Sequence, residues 1–184
     1  MTLPTVRPGA QEKAAKIRLL LLDVDGVLTD GGIVYDASGV ELKRFNVRDG
    51  HGVVMMRRAG IRLGIITGRN STVTAIRAKE LGIDLVIQGA LDKSAALDRM
   101  LAETALPPES VAFVGDDIVD LPVFRRVGFA AAPADAEDYV RDAADYVASR
   151  AGGHGAVREI IEFVLRATGL WETASARYFG TEGR

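Results

Sequence analysis

The run Leu19-Leu20-Leu21-Leu22-Asp23-Val24-Asp25-Gly26 constrains this chain more than any other feature. Four consecutive leucines leave no polar face. A short unbroken apolar run predicts a strand buried on both sides, as the strands of a parallel sheet are. A parallel sheet in turn fixes where chemistry goes. Ligands of open α/β sheets gather outside the carboxyl ends of the strands, and Asp23 and Asp25 fall at that end. Two carboxylates so close together repel and resist desolvation, which a bound cation or a phosphate-handling role would offset.

The rest of the chain alternates in the same manner. Strands are expected at Ile17–Leu22, Arg62–Ile66, Asp84–Ile87, Ser110–Val114, Gly128–Ala131 and Tyr146–Val147. Helices are expected near 11–16, 50–59, 71–81, 93–104, 118–126 and 135–144, with Val73, Ala75 and Ile76 among the apolar positions of the 71–81 segment. Ile33–Tyr35 and Glu41–Phe45 flank the turn-forming Asp36-Ala37-Ser38-Gly39 and read as a hairpin inserted early. Val157, Ile160, Ile161, Val164 and Leu165 recur at helical spacing, and Gly169 is positioned to end that helix. The expected fold is therefore α/β: a Rossmann-like three-layer sandwich with a mainly parallel sheet. Residues 1–16 read as a loose lead-in, 17–170 as one domain with the hairpin at about 31–46, and 171–184 as a tail without clear period.

Composition narrows the function classes. With 184 residues the chain is long enough for one ordinary domain, and 48% hydrophobic content supports a substantial core. A net charge of -2 argues against nucleic-acid binding through bulk charge. The absence of cysteine excludes disulfides and thiolate metal sites. No apolar stretch approaches the ~20 residues of a membrane span, and no signal-peptide pattern opens the chain. A cytoplasmic protein is expected.

Four groups follow expected strands and would meet on one sheet edge: Asp23 with Asp25, Thr67-Gly68-Arg69, Lys93, and Asp116 with Asp117. Together they suit phosphoryl transfer through an aspartyl phosphate. Asp23 would attack phosphorus, and Asp25 would protonate the leaving alcohol and later deprotonate water. Thr67 would hydrogen-bond a phosphoryl oxygen, and Lys93 would neutralise the phosphate and the nucleophile. Asp116 would help hold Mg²⁺, a hard cation that takes few protein carboxylates. Each piece alone is also a turn, a cap or a solvated lysine; the ordered set carries the inference. A phospho-receiver uses similar residue types, but Asp25, two residues beyond the nucleophile, favours turnover.

Asp23-Val24-Asp25-Gly26, Ile66-Thr67-Gly68-Arg69, Lys93 and Gly115-Asp116-Asp117-Ile118-Val119-Asp120 resemble the four ordered motifs of the haloacid dehalogenase (HAD) superfamily of phosphatases. Phe45–Gly50, Asp117–Pro122 and Ala151–Glu159 further resemble the 3-deoxy-D-manno-octulosonate 8-phosphate phosphatases. The pattern departs from that family at His154, where arginine is usual, and at Leu91-Asp92. The resemblance implies hydrolysis of an eight-carbon acidic sugar phosphate on the route to lipopolysaccharide. It implies Mg²⁺ on the side chains of Asp23 and Asp116 and the backbone carbonyl of Asp25. A nine-carbon sialic-type sugar 9-phosphate, or a broader range of sugar phosphates, is the alternative.

Neither the 30–49 nor the 67–93 interval has room for a separate cap domain. The resemblance implies a homotetramer in which a neighbour's hairpin covers the site, with Ile33, Val34 and Tyr35 apolar enough to pack there. Arg48, Arg69 and Lys43 are candidates for the sugar carboxylate, since arginine pairs with such groups bidentately. Gly68 would line the same pocket. Asp117 and Asp120 are expected in support, orienting the metal's waters, Lys93 or the helix start. His51 is either a pocket residue or a helix-terminal one, and His154 is a loop residue that meets substrate only if the tail closes.

Overall fold

The computed structural model describes residues 3–179. The strands are β1 (Thr5–Val6), β2 (Leu19–Leu22), β3 (Val34–Tyr35), β4 (Glu41–Leu42), β5 (Arg62–Ile66), β6 (Leu85–Ile87), β7 (Val111–Val114), β8 (Phe129–Ala132) and β9 (Tyr146–Val147). The helices are α1 (Ala10–Ala14), α2 (Val47–Arg58), α3 (Thr72–Leu81), α4 (Lys93–Thr104), α5 (Leu121–Phe124), α6 (Asp138–Ala143), α7 (Ala156–Ala167) and α8 (Trp171–Phe179). Among the described residues no helix is long and apolar enough to cross a membrane.

Seven strands form one sheet in the order β1-β9-β8-β7-β2-β5-β6. Every pairing is parallel except that of β1 with β9. The leucine run is its centre. Leu19 and Leu21 face a core with Leu97, Met100 and Phe113. Leu20 and Leu22 face the other core, with Val53, Met56, Ile160 and Val164. All four leucines are fully buried, each contributing about 1.5–3 kcal/mol relative to an exposed side chain. Register then places the chemistry. Leu22 lies opposite Ile65 of β5 and Val114 of β7. Asp23, Thr67 and Asp116 consequently emerge at one edge of the sheet.

Three expectations are corrected. The lead-in is part of the fold: β1 pairs with β9 through main-chain bonds, and Ala10 and Ala14 are buried. The segment expected to lack period is helical over Trp171–Phe179, with Ala174 and Ser175 buried and the Arg166 guanidinium 4.1 Å from the Trp171 ring centroid. The rest of the tail lies outside the described residues. On α3 the core face is Thr74, Ala78 and Leu81, while Ile76 and Ala75 are exposed and Val73 is only partly covered.

The hairpin β3–β4 forms a separate two-stranded sheet. Ile33, Val34, Tyr35, Val40 and Leu42 are each more than half exposed on it. They are not buried against their own domain.

Candidate active site

Lys93 is the first residue of α4. Its helix is capped by the Asp92 side chain, which accepts from Ala95 N at 3.0 Å. That cap fixes where the lysine leaves the helix. The side chain is buried, and Nζ donates to Asp23 Oδ2 at 2.7 Å and to Asp120 Oδ1 at 2.6 Å. Asp120 is wholly buried, and its Oδ2 accepts from the N–H groups of Asp116 at 2.9 Å and Asp117 at 3.2 Å. Asp117 and Asp120 close a capping box over Ile118–Asp120. Asp120 thus orients the lysine and the Gly115–Asp117 loop together.

Asp23 is anchored through its backbone N–H to Val114 O at 3.0 Å, and its Oδ1 accepts from Val24 N at 2.7 Å. Burial pushes its carboxyl up to about 6, against the opposing charge of Lys93. Asp116 is pushed up to about 7 by burial, and then by the neighbouring carboxylates of Asp23 and Asp120. Burial pulls the Lys93 ammonium down, but the facing carboxylates outweigh it and hold the lysine above its ordinary value. Asp23 and Lys93 are accordingly both charged at neutral pH.

The donor set fits a hard divalent cation. Asp23, Asp116 and Asp120 each bring one oxygen within 4.8 Å of the others. Asp120 already satisfies a lysine and two backbone amides. Asp116 does not: its buried Oδ1 has no hydrogen-bond partner among the described residues, an expensive state without a ligand. Asp23 and Asp116 are therefore the pair with coordinating capacity to spare. Gly26 is shaped to this pair. Its φ is +86°, and a Cβ there would sit 1.9 Å from Asp116 Oδ2. Behind it, a Cβ on Gly152 would meet Gly26 O at 1.8 Å. The glycine loop after β9 packs directly on the loop after β2.

The hairpin braces two residues of the cleft, Asp25 and Arg69, from outside its lining. Glu41 in β4 and Lys43 just beyond it are two residues apart, and both side chains reach the Asp25–Arg69 side of the hairpin. Lys43 Nζ pairs with Asp25 Oδ1 and lies 3.6 Å from Glu41 Oε1. Arg69 Nη2 donates to Glu41 Oε1 at 2.7 Å, and Arg69 Nε lies 3.5 Å from Asp25 Oδ2. Thr67 is buried, and its backbone ties β5 to the segment after β6 through Ile87 O and Ala90 N, both at 3.0 Å. The cleft so enclosed has a volume of about 320 Å³ and is lined by Asp23, Asp25, Thr67, Gly68, Arg69, Ala90, Leu91, Lys93, Asp116, Asp117 and Val119.

Some expected residues lie elsewhere. Arg48 is exposed in the first turn of α2 and does not line the cleft. His51 faces α8 and α7, with Nε2 2.9 Å from Tyr178 Oη and Nδ1 3.1 Å from Arg158 Nη1. His154 is exposed, and its Nδ1 bonds Gly152 O at 2.8 Å. Glu41 and Ser71 were not singled out from sequence. The two-residue spacing of Glu41 and Lys43 was the available signal for Glu41.

Fold and site together define a hydrolase class. A family model for haloacid dehalogenase-like hydrolases matches residues 65–160, and the chain belongs to that family. Within it, the chain is 45% identical over 172 residues to the 3-deoxy-D-manno-octulosonate 8-phosphate phosphatase KdsC of Salmonella typhimurium, covering 94% of this chain and 92% of that one. The crystal structure of the 3-deoxy-D-manno-octulosonate 8-phosphate phosphatase from Yersinia pestis superposes with a TM-score of 0.88 at 44% identity, over 90% of this chain and 89% of that one. The Moraxella catarrhalis phosphatase of the same name, in complex with magnesium ion, phosphate ion and KDO, superposes with a TM-score of 0.89 at 40% identity, over 92% and 97% of the two chains.

Proposed function

We propose that this protein is a magnesium-dependent phosphatase. It hydrolyses 3-deoxy-D-manno-octulosonate 8-phosphate to the free sugar acid and phosphate, in lipopolysaccharide precursor synthesis. The observation that carries this reading is the Asp23–Lys93–Asp120 arrangement beside an unsatisfied Asp116, in a chain 45% identical over nearly its whole length to a phosphatase of that name.

Asp23 is the nucleophile. One of its carboxylate oxygens forms a bond to phosphorus as the bond from phosphorus to the sugar oxygen breaks. Asp25 gives its proton to that departing oxygen. It then takes a proton from water as the water oxygen attacks the phosphoryl-aspartate, which releases phosphate and restores Asp23. Lys93 holds Asp23 in line and offsets the charge gathering on the phosphoryl oxygens, while Thr67 and the Gly68 loop donate hydrogen bonds to those oxygens. Asp23 and Asp116, with the backbone carbonyl of Asp25, hold Mg²⁺. When bound, the ion lowers the repulsion between anionic Asp23 and an anionic phosphate. Arg69, which lines the cleft, binds the sugar acid.

The catalytic residues lie within 17–170, on a fold that also takes in the strand Thr5–Val6 and the helix Trp171–Phe179. The working assembly is a homotetramer in the cytoplasm, each site completed by a neighbour. Two features support assembly: the hairpin's exposed apolar residues and a cleft open at a rim formed by Leu91 and Val119, which are 93% and 50% exposed. A closed site excludes water better than an open one. The test is parallel phosphate release from the eight-carbon 8-phosphate and a nine-carbon sialic-type 9-phosphate, with and without Mg²⁺. Preference for the eight-carbon ester is expected. Clear preference for the nine-carbon ester would overturn the substrate assignment.

A further inference from the structure

Glu41 places a carboxylate among the cations of a cleft built to receive an anion. Its own oxygens are fully engaged. Oε1 accepts from Arg69 Nη2 at 2.7 Å and has Lys43 Nζ at 3.6 Å, while Oε2 accepts from Ser71 Oγ. Ser71 is itself fixed. Its side chain caps α3 by accepting from Thr74 N at 3.2 Å, and its N–H donates to Gln88 Oε1 at 2.7 Å. Tyr35, opposite Glu41 in the hairpin register, bonds the same arginine nitrogen at 3.4 Å. Glu41 therefore clamps one end of Arg69 to the rigid start of a helix.

The other end of Arg69 is left for use. Its Nε is buried and has no hydrogen-bond partner among the described residues. Arg69 and Lys43 both approach Asp25, at 3.5 Å and in direct contact respectively. Among the described residues, Asp25 is the one other carboxylate within 4.0 Å of either cation.

We infer that Glu41 is a positioning residue for substrate recognition: it fixes Arg69 through Nη2 and so keeps the unpartnered Nε at the cleft, beside Asp25, where a carboxylated sugar would meet it. The hydrogen bond from Ser71, then that from Arg69, keeps the Glu41 carboxyl below its usual range, so the clamp stays charged at neutral pH. Nothing in this role touches the phosphoryl group. It concerns the sugar half only, and it rests on the reading of the substrate as a carboxylated sugar phosphate.

The experiment compares wild type, Glu41→Gln, Glu41→Asp, Arg69→Ala and the Glu41→Gln/Arg69→Ala double variant. Each is assayed on the eight-carbon sugar 8-phosphate and on p-nitrophenyl phosphate, which has no carboxylate. The expected result is a fall in kcat/KM of roughly 10- to 100-fold on the sugar ester for Glu41→Gln, mostly in KM. Aryl phosphate turnover changes by less than about threefold, Glu41→Asp recovers part of the loss, and Glu41→Gln has little further effect once Arg69 is alanine. Equal losses on both esters, or additive effects in the double variant, overturn the positioning role while leaving the proposed activity intact. A wild type that hydrolyses no carboxylated sugar phosphate overturns the proposed function first, and this inference with it.

Discussion

Lys93 Nζ donates to Asp23 Oδ2 at 2.7 Å across a separation of 70 residues. The lysine balances two buried carboxylates, since its second bond goes to Asp120. Removing one member of a buried ion pair leaves an uncompensated charge and costs about 3–5 kcal/mol. Lys93→Met is expected to lose stability on that order and most of its turnover. Asp23→Asn keeps the lysine bonded through an amide oxygen. It is expected to retain the fold and to lose turnover by at least about 10³-fold. Urea denaturation beside phosphate-release assays separates the two. Magnesium-dependent turnover in Asp23→Asn at the wild-type rate would remove the nucleophile assignment.

Gly26 offers a sharper test of the metal pair. A Cβ there would overlap Asp116 Oδ2 at 1.9 Å, on a backbone with φ +86°. An L-residue with a side chain strains that backbone by about 1 kcal/mol or more. Gly26→Ala must also displace the Asp116 carboxylate. The expected outcome is at least about a tenfold loss of Mg²⁺ affinity with only a modest drop in metal-free stability. Calorimetric titration and thermal melts measure the two effects. Unchanged affinity would mean that Asp116 does not hold the ion.

Sequence and structure agree where one residue type decides the outcome. Four leucines fit a doubly buried strand, which puts the acids after it at the sheet's carboxyl edge. The Asp120–Lys93 bond was legible only as a class of support, because it depends on a capping box folding Asp120 back under its own loop. On α3, the core face runs through Thr74, Ala78 and Leu81 at helical spacing, and a buried threonine gives no hydrophobic signal. The Thr5–Val6 strand is exposed on both residues and is held by main-chain pairing, which side-chain pattern does not record. The last helix meets its neighbours through Ala174 and Ser175, too small to mark a stripe. Lys43 is legible from its charge as a candidate for the sugar carboxylate, whereas Glu41 gains its partners Arg69 and Ser71 only through the tertiary fold.

The raised carboxyls of Asp23 and Asp116 give a pH signature. Their folded values, about 6 and about 7, lie above the ordinary value of 3.8. A carboxyl raised by folding stabilises the metal-free fold fully at low pH, and that contribution is lost as pH rises through the folded value. Metal-free protein therefore sheds this contribution between about pH 4 and 7. Mg²⁺ needs both groups ionised, so its stabilisation should grow over the same window. At Mg²⁺ about 100-fold above its Kd, pH 8 melts should rise by roughly 5–10 °C, and pH 5 melts by much less. Asp116→Asn should flatten this dependence. A magnesium shift equally large at both pH values would contradict the linkage.

The exposed hairpin makes a prediction about assembly that stability measurements alone would miss. Ile33, Val34 and Leu42 are 56%, 52% and 52% exposed on a two-stranded sheet separate from the main one. Two short strands have little stability of their own in water, and solvent is a poor neighbour for such a patch. Val34→Asp should leave the fold of the single chain within about 0.5 kcal/mol, as surface changes usually do. If the hairpin is the contact between copies, the same change places a charge in an apolar interface and breaks it. Sedimentation equilibrium should then report a smaller species. Turnover of the sugar phosphate should fall further than turnover of p-nitrophenyl phosphate, because the neighbour's contribution concerns the sugar. A Val34→Asp variant that sediments like wild type would place the contact between copies elsewhere on the molecule.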